Sequence, residues 1–225
     1  MPKIKGEKMS KTKSNKLGEK RNFTFEIRAE ENDNGKAIIT GEPIVFEQKT
    51  DICGCFSESI RSGALQETDL TDVPLLANHN FDMIPVARSR RNNGNSTMTL
   101  TSEKNRFTFK AELDIENNLT ARELYSAIKR GDISGMSFCF DIEEEKWSDE
   151  NSDYPHRDIL KIGKVYEISA VTFPAYEGTS ISARAMDIDQ AKDILEKMRK
   201  RSGDFATECE ELNKLKTLIA IECEI

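Results

Sequence analysis

The two most apolar stretches of the chain, GDISGMSFCF at residues 131–140 and KVYEISAVTF at residues 164–173, decide the fold. Both are typical of β-strands in which successive side chains point to opposite faces. The segment between them, EEEKWSDENSDYPHRD at residues 143–158, is so highly charged that a solvated loop or a hairpin tip is expected there. The sequence thus predicts two apolar strands joined by a solvated connection.

Strand patterns also fill the sequence before these two segments. They occupy residues 23–31, 36–46, 72–78, 97–103 and 105–113. The first two flank the turn signal Asn34-Gly35 and predict an opening hairpin, and the last two predict a second hairpin. The strand at residues 72–78 is short and apolar and leads directly to His79.

Three segments are instead typical of helices. In residues 119–131, Thr120 and Glu123 have the spacing of a capping box, and apolar residues share one face. FSESIRSGAL at residues 56–65 predicts a short helix. After Ala185 the strand signals stop and apolar residues recur every three or four positions, which predicts a helical tail.

Composition and charge divide the chain into three parts. With 225 residues, of which 37% are hydrophobic and 32% are charged, the chain can form one compact core with polar appendages. We expect a basic disordered arm at residues 1–22, a β-rich domain at residues 23–185 and a helical tail at residues 186–225.

The charge pattern limits the class of partner. The net charge of −7 gives no general attraction to nucleic acid or to anionic membranes. Residues 1–21, however, carry eight basic and two acidic side chains, so the arm either solubilises the protein or contacts nucleic acid or an acidic partner. Because the sequence has neither an early apolar run typical of a signal peptide nor an apolar segment of membrane length, we expect a soluble intracellular protein with its five cysteines reduced.

The chain contains two histidines, and their contexts differ. His79 ends an apolar strand, which would hold its ring against a rigid scaffold, whereas His156 lies in the charged connection beside Pro155 and Arg157. We therefore prefer His79 as a candidate general base. A purely structural role for His79 is the alternative.

Strand alternation selects a candidate nucleophile in GMSFCF. It places Ser137 and Cys139 on one face and three apolar side chains on the other, namely Met136, Phe138 and Phe140. If the apolar face packs in the core, Ser137 is presented outward on a rigid strand. The alternatives are that Cys139, on the same face, is the reactive group, or that Ser137 is an ordinary hydroxyl on a half-exposed strand.

Glu167 interrupts an otherwise apolar strand and therefore needs a partner. A carboxylate that is buried without a partner costs several kcal/mol or has its pKa shifted upward. The partner is either a structural cation, for which Arg88 and Lys110 are candidates, or an imidazole. With His79, Glu167 would complete a set in which the histidine takes the proton of Ser137 and the carboxylate orients the histidine.

A metal site is a weaker hypothesis. Cys53, Cys55 and His79 contain ligating groups, but one C-x-C pair without a second pair at zinc spacing is a poor signal. Local packing of the two thiols in the turn-rich ICGCFS segment is the simpler interpretation. We therefore expect no metal and no cofactor.

Five segments of the chain form a recognisable combination. They are FSESIRSGAL (56–65), LLANHN (75–80), PVARS (85–89), RGDISGMSFCF (130–140) and YEISAVTFPAYEGTSI (166–181). The most specific parts are the helix that leads into G-x-I-x-G-x-S-F and the run E-I-S-x-V-x-F-P-A. Together these segments resemble the prohead maturation proteases of tailed bacteriophages, and the resemblance covers residues 36–185.

The resemblance implies a fold and a set of site residues. These proteases are similar in fold to the herpesvirus assemblins, which implies a mainly β fold with flanking helices (α+β), built as a closed β-barrel surrounded by helices, plus a helical C-terminal tail. The family pattern places the catalytic histidine at His79 and the nucleophile at Ser137. Assemblins use a second histidine as the third member, whereas the position that matches the phage pattern here carries Glu167.

The resemblance also implies a function. It predicts a serine endopeptidase that cleaves the scaffolding protein, or a scaffold-like segment of the major capsid protein, inside the procapsid in the host cytoplasm. Self-cleavage is implied as well, so that the basic arm and the tail from residue 186 onward would be targeting or self-removed segments. A homo-oligomer is compatible with this function. A non-catalytic capsid assembly or scaffolding protein with the same fold is the alternative.

Overall fold

The computed structural model describes residues 19–23, 27–31, 36–90, 95–172 and 188–201. Strands are the main element in these residues. In chain order they are β1 (Glu19–Phe23), β2 (Ile27–Glu31), β3 (Ala37–Ile44), β4 (Thr50–Ile52), β5 (Phe56–Ile60), β6 (Asp72–Ala77), β7 (Ala87–Arg90), β8 (Met98–Glu103), β9 (Arg106–Leu113), β10 (Gly135–Ser148) and β11 (His156–Val171). Helix α1 (Leu119–Arg130) precedes β10, and helix α2 covers residues 188–201.

The strands form two open sheets. The first has the order β1-β10-β11-β5-β4, with β6 also paired to β11 and β7 paired to β6. The second has the order β2-β3-β9-β8. The expected mainly β fold with flanking helices is confirmed. The expected closed barrel is not found in the described part of the chain, because no strand ladder there joins one sheet to the other.

One hydrophobic core packs the two sheets and α1 together. Its members include Ile39 and Phe107 from the second sheet, Leu75 and Phe138 from the first sheet, and Ile128 from α1. Burying a side chain of the size of Phe138 stabilises the folded state by about 1.5–3 kcal/mol. Of the two apolar segments predicted as strands, residues 135–140 and 164–171 thus contribute to this core within β10 and β11.

The two predicted hairpins before α1 are confirmed as antiparallel pairs. β2 pairs with β3, and β8 pairs with β9. The proposed Asn34-Gly35 turn lies outside the described residues. The charged connection between the two apolar segments also forms a hairpin, but its strands continue much further than predicted, so that only residues 149–155 make the tip.

The helix predicted at residues 56–65 is wrong. Phe56–Ile60 forms β5, which is buried at all five positions and lies between β4 and β11. Its polar side chains meet partners on β11, the strand directly paired with it: the Ser57 hydroxyl lies 2.9 Å from His156 Nδ1, and Glu58 accepts a hydrogen bond from Arg157 at 3.2 Å. These partners are about a hundred residues away, so local sequence could not indicate them.

Helix α1 delivers the chain into β10 in a fixed direction. It begins after Asn118, whose Oδ1 accepts a hydrogen bond from the Ala121 backbone N–H at 3.1 Å. The cap is therefore Asn118 and not Thr120, as the capping-box spacing had suggested. Gly131 ends the helix with a φ of 81°, a left-handed conformation that glycine adopts without steric cost.

One edge of β11 is shared by two strands. β5 pairs with its beginning and β6 with its end, both in parallel. Between these pairings, turn residues supply the hydrogen bonds: the Ile162 N–H donates to the Ala64 carbonyl at 2.9 Å, and Asp69 N–H donates to the Gly163 carbonyl at 2.9 Å. Thr68, which is buried, donates its hydroxyl to the Ile162 carbonyl at 2.6 Å.

Helix α2 packs on the far end of the first sheet. Its buried residues form a second cluster with β4 and β5: Ala191, Leu195, Met198, Ile52 and Phe56. The predicted helical tail at residues 186–225 is thus described as a helix over residues 188–201, and residues 202–225 lie outside the described part. At the other end of the chain, the predicted boundary between residues 22 and 23 falls inside β1, and residues 1–18 lie outside the described part. In the described residues, neither helix has the length and apolar character needed to cross a bilayer.

Arg157 of β11 ties the long hairpin to β5, and Arg201 of α2 pairs with the same Glu145 that Arg157 contacts. Arg157 is 3% exposed and contacts the carboxylates of Glu58 and Glu145, and its guanidinium lies 5.6 Å from the centre of the Trp147 ring. Burial acts to raise the pKa of Glu145, but the charge and hydrogen bonds of Arg157 and Arg201 outweigh it and hold that pKa below its ordinary value.

Replacing Arg157 by leucine is expected to lower the free energy of unfolding by about 3–5 kcal/mol, because it removes the cation from two largely buried carboxylates. Chemical denaturation followed by circular dichroism measures the loss. Arg88→Leu is the matched control, since Arg88 forms a largely exposed pair with Asp72 and should cost at most about 1 kcal/mol. Equal losses in the two variants would contradict the prediction.

Candidate active site

The end of β6 places His79 against β11. The Asn78 N–H continues the parallel pairing by donating to the Ala170 carbonyl at 2.9 Å. Asn78 and His79 then adopt φ values of 51° and 56°, in the left-handed region that costs a non-glycine residue about 1–2 kcal/mol. The Asn78 side chain holds this turn by accepting hydrogen bonds from the Thr172 N–H at 3.0 Å and from the Thr172 hydroxyl at 3.2 Å.

His79 and Glu167 form a direct hydrogen bond. His79 Nδ1 lies 2.6 Å from Glu167 Oε1. The carboxylate is fully buried, whereas 12% of the histidine side chain is exposed. Because Nδ1 faces a carboxylate, the neutral form of the ring carries its proton on Nδ1, and Nε2 is then the nitrogen with the lone pair.

Ser169 supports both members of this pair. Its hydroxyl donates to Glu167 Oε2, the second carboxylate oxygen, and its oxygen accepts a hydrogen bond from the His79 backbone N–H at 3.2 Å. Ser169 is fully buried. The carboxylate, the imidazole and the backbone that carries the imidazole are thus fixed together by one serine.

Ser137 lies on the neighbouring strand. In the antiparallel pairing of β10 with β11, Ser137 is the direct partner of Ser169, and Cys139 is the direct partner of Glu167. Direct partners project to the same face of a sheet, so Ser137 and Cys139 share a face with Ser169 and Glu167. The expected alternation is therefore present.

The exposure predicted for this face is wrong. Ser137 is 0% exposed and Cys139 is 1% exposed, although the sequence predicted that Ser137 would be presented outward. β10 is buried on both faces over residues 135–140. An apolar alternation predicts one covered face, but it cannot tell whether other parts of the chain also cover the second face.

The remaining sequence candidates lie elsewhere. His156 contacts Ser57 and Asp158 near the start of β11. At the rise of a strand this is about 35 Å along β11 from Glu167, so the two histidines belong to separate clusters. Of the cations proposed for Glu167, Arg88 pairs with Asp72. The structure therefore brings His79, rather than Arg88, to the carboxylate.

The hypothetical metal ligands also have other surroundings. Cys53 and Cys55 lie in the turn between β4 and β5 and pack against the second cluster, which β4, β5 and α2 form. In the described residues, no three cysteine, histidine, aspartate or glutamate side chains are grouped so as to hold a metal ion.

Sequence reasoning gave no role to Ser169 or to Asn78. Ser169 stands two positions after Glu167, so strand alternation places both on one face, and a small hydroxyl beside a buried carboxylate was the available signal. Asn78 immediately precedes the histidine, and asparagine tolerates the left-handed conformation better than most residues. No local pattern indicated that Asn78 would bind to Thr172.

Comparison with known proteins assigns the chain to a family. The family model described as caudovirus prohead serine protease matches residues 23–194, and no curated protein matches the chain. A solved structure of the bacteriophage T4 capsid assembly protease, gp21, is similar over 68% of this chain and 98% of that chain, with 14% sequence identity and a TM-score of 0.34. Because the family model spans well over half of the sequence, the chain belongs to the caudovirus prohead serine protease family and is a peptidase of capsid maturation.

Proposed function

We propose that Ser137, His79 and Glu167 are the nucleophile, the general base and the orienting carboxylate of this peptidase. The observation that carries the proposal is the 2.6 Å hydrogen bond between His79 and the buried Glu167, one strand away from a serine on the same sheet face. In a serine protease the imidazole must hold one tautomer, and a buried carboxylate at Nδ1 is the usual means.

The chemistry follows from this tautomer. With the proton on Nδ1, Nε2 of His79 accepts the proton of Ser137 as the hydroxyl oxygen attacks the peptide carbonyl. Glu167 stabilises the imidazolium that forms. His79 then donates the proton to the leaving amine, and a water molecule hydrolyses the acyl-enzyme by the same route.

For the substrate we propose the scaffolding protein, or a scaffold-like segment of the major capsid protein, cut inside the procapsid in the host cytoplasm. Membership of a prohead protease family supports this substrate class. Incubation with the cognate capsid precursor tests the proposal and distinguishes it from the alternative, a non-catalytic assembly protein. Defined fragments are expected with the wild-type chain, and an uncut precursor with fully folded protease would contradict the proposal.

The identity of the nucleophile can be tested without a substrate. A fluorophosphonate probe reacts with a serine that a neighbouring base activates. We expect mass spectrometry to locate the adduct on Ser137, and we expect labelling to be lost in His79→Ala. An adduct on another residue, such as Ser57, would assign the activity to a different site.

We further propose that the protease cuts itself in the arm or in the tail from residue 186 onward. Intact-mass measurement of the wild-type chain and of Ser137→Ala after expression tests this. A shorter wild-type chain beside a full-length variant is expected, whereas identical masses would argue against self-cleavage.

Ser169 is expected to act as a positioning residue. Ser169→Ala removes a hydrogen bond to each of Glu167 and the His79 backbone, and a hydrogen bond to a buried charge contributes about 1.5–3 kcal/mol. If most of this stabilises the productive geometry, kcat should fall by about tenfold to a hundredfold while KM changes little.

Ser169→Thr retains the hydroxyl and is the matched rescue for this position. It should recover most of the lost kcat if the added methyl group is accommodated. A fall in stability without a fall in kcat would show that Ser169 is only structural.

A further inference from the structure

β1 covers the edge of β10 that faces away from β11. The two strands are antiparallel, and their paired residues run from Glu19 opposite Phe140 to Phe23 opposite Met136. In this register Asn22 is directly opposite Ser137. The proposed nucleophile therefore has Ser169 beside it on one neighbouring strand and a residue of the N-terminal segment on the other.

β1 extends the first sheet beyond the part of the chain that matches the family model. The match to the family model begins at residue 23, so β1 precedes the shared domain except for its last residue. After three further residues the chain enters β2, which belongs to the other sheet. Without β1, the first sheet would end at β10, and the backbone groups along one side of Met136–Phe140 would be available for pairing.

An endopeptidase needs an extended segment of its substrate beside the nucleophile. Addition of a peptide strand to a sheet edge is a common way to bind an extended backbone, because the main-chain hydrogen bonds do not depend on sequence. The position that β1 occupies runs a peptide backbone directly past Ser137. In this arrangement Ser137 is 0% exposed, so a substrate cannot reach it without a rearrangement.

We propose that the Met136–Phe140 edge of β10 is the docking edge for the extended backbone of the polypeptide substrate, and that β1 occupies this edge in cis until the substrate displaces it. The inference rests on the proposed role of Ser137. It adds a binding mode for the substrate and a reason why the folded chain is held in a closed state.

Tethering gives β1 an advantage over a free substrate. A segment joined by a short linker has an effective concentration on the order of millimolar at its site. The apparent affinity of a substrate falls in proportion to the fraction of molecules with an open edge. Loosening β1 should therefore lower KM, and locking it in place should prevent cleavage.

One substitution in the full-length chain can fix β1 to β10 through a disulfide. Lys20 is the direct partner of Cys139, and cross-strand partners have Cα atoms about 4.5–5.5 Å apart, within the range that a disulfide bridges. Oxidised Lys20→Cys, with the disulfide between the introduced thiol and Cys139 verified by peptide mapping, should lose at least about 90% of its cleavage of a reporter peptide if β1 must leave the edge. Reduction should restore the activity.

Wild-type protein exposed to the same oxidant is the control for the other cysteines. If the locked protein cleaves as fast as its reduced form, the inference is overturned. This outcome does not depend on any variant that weakens the fold.

A proline substitution can loosen β1, because proline has no backbone N–H to donate to the neighbouring strand. In an edge strand, the backbone N–H groups of alternate residues point toward the sheet. Of the neighbouring substitutions Arg21→Pro and Asn22→Pro, the one at the residue that donates to β10 therefore removes a hydrogen bond between the strands. That variant is expected to raise kcat/KM by about tenfold through a lower KM. Lys13→Pro makes the same change in charge and residue type as Arg21→Pro at a position before β1, and it should behave as the wild type.

A binding measurement separates this inference from the proposed catalysis. In a Ser137→Ala background, a fluorescent peptide with the sequence of residues 17–25 should bind to the released variant and should not bind to the Lys13→Pro variant. Capsid-precursor peptide should displace it. If the peptide binds but no variant that retains Ser137 cleaves the substrate, the catalytic role is contradicted and the docking edge stays supported. If cleavage occurs but the peptide does not bind, or is not displaced, the docking edge is overturned.

Discussion

Ser137→Ala is expected to reduce the rate of capsid-precursor cleavage by a factor on the order of 10⁶, to the level that binding and electrostatic stabilisation alone provide. The serine oxygen forms the covalent acyl-enzyme, and neither His79 nor Glu167 can replace it in that step. The measurement is single-turnover cleavage of the precursor, followed over days for the variant. Circular dichroism must show that the variant is folded.

Two neighbours of Ser137 make this experiment specific. Ser134→Ala changes the same residue type three positions earlier, where the side chain is exposed, and it should keep the wild-type rate. Cys139→Ala removes the rival nucleophile on the same face of β10 and should retain cleavage. Loss of cleavage in Cys139→Ala with survival in Ser137→Ala would move the nucleophile to the thiol.

Glu167→Gln is expected to lower kcat by about 10⁴-fold with little change in the overall fold. The amide is nearly isosteric with the carboxylate, but its NH₂ group can only donate. If the NH₂ group faces Nδ1, the imidazole must carry its proton on Nε2, and Nε2 then cannot accept the proton of Ser137. The substitution thus acts on the tautomer of His79 and not on the nucleophile itself.

Steady-state kinetics with a reporter peptide separates this effect from weaker binding, because KM should change much less than kcat. Glu112→Gln is a suitable control, since Glu112 forms an exposed ion pair with Lys36 on the second sheet. If Glu167→Gln retains kcat within about tenfold of the wild type, the carboxylate is not the group that sets the tautomer.

The sequence predicted those parts of the fold whose information is local. Alternation over residues 135–140 and 164–171 identified β10 and β11, and it correctly placed Ser137 and Cys139 on one face. The helix at residues 119–130 was predicted from its apolar face and from Gly131. Each of these features depends on residues that lie within about one turn or one strand of each other.

The errors came from contacts that are distant in sequence. Ser57 and Glu58 lie in the segment that was predicted as a short helix, and local sequence could not show that their partners, His156 and Arg157, lie across a parallel pairing. Strand alternation also could not show that the face bearing Ser137 is covered.

For the candidate site, physical reasoning required a partner for Glu167 but left a cation and an imidazole open. Only the path of β6 along β11, together with the turn at Asn78, brings His79 to the carboxylate. Neither feature is visible in a local window of sequence.

The turn residues that fill the edge of β11 have a consequence for how the protein tolerates change. Surface connections normally accept inserted residues at little cost. Here the segment from Ala64 to Asp69 makes the hydrogen bonds to the part of β11 that neither β5 nor β6 pairs with. Its length is therefore matched to the spacing of the carbonyl and amide groups on β11. An extra residue would shift this segment out of phase with the strand and alter where β6 begins. The position of the histidine therefore depends on the length of a connection that lies in a different part of the sheet.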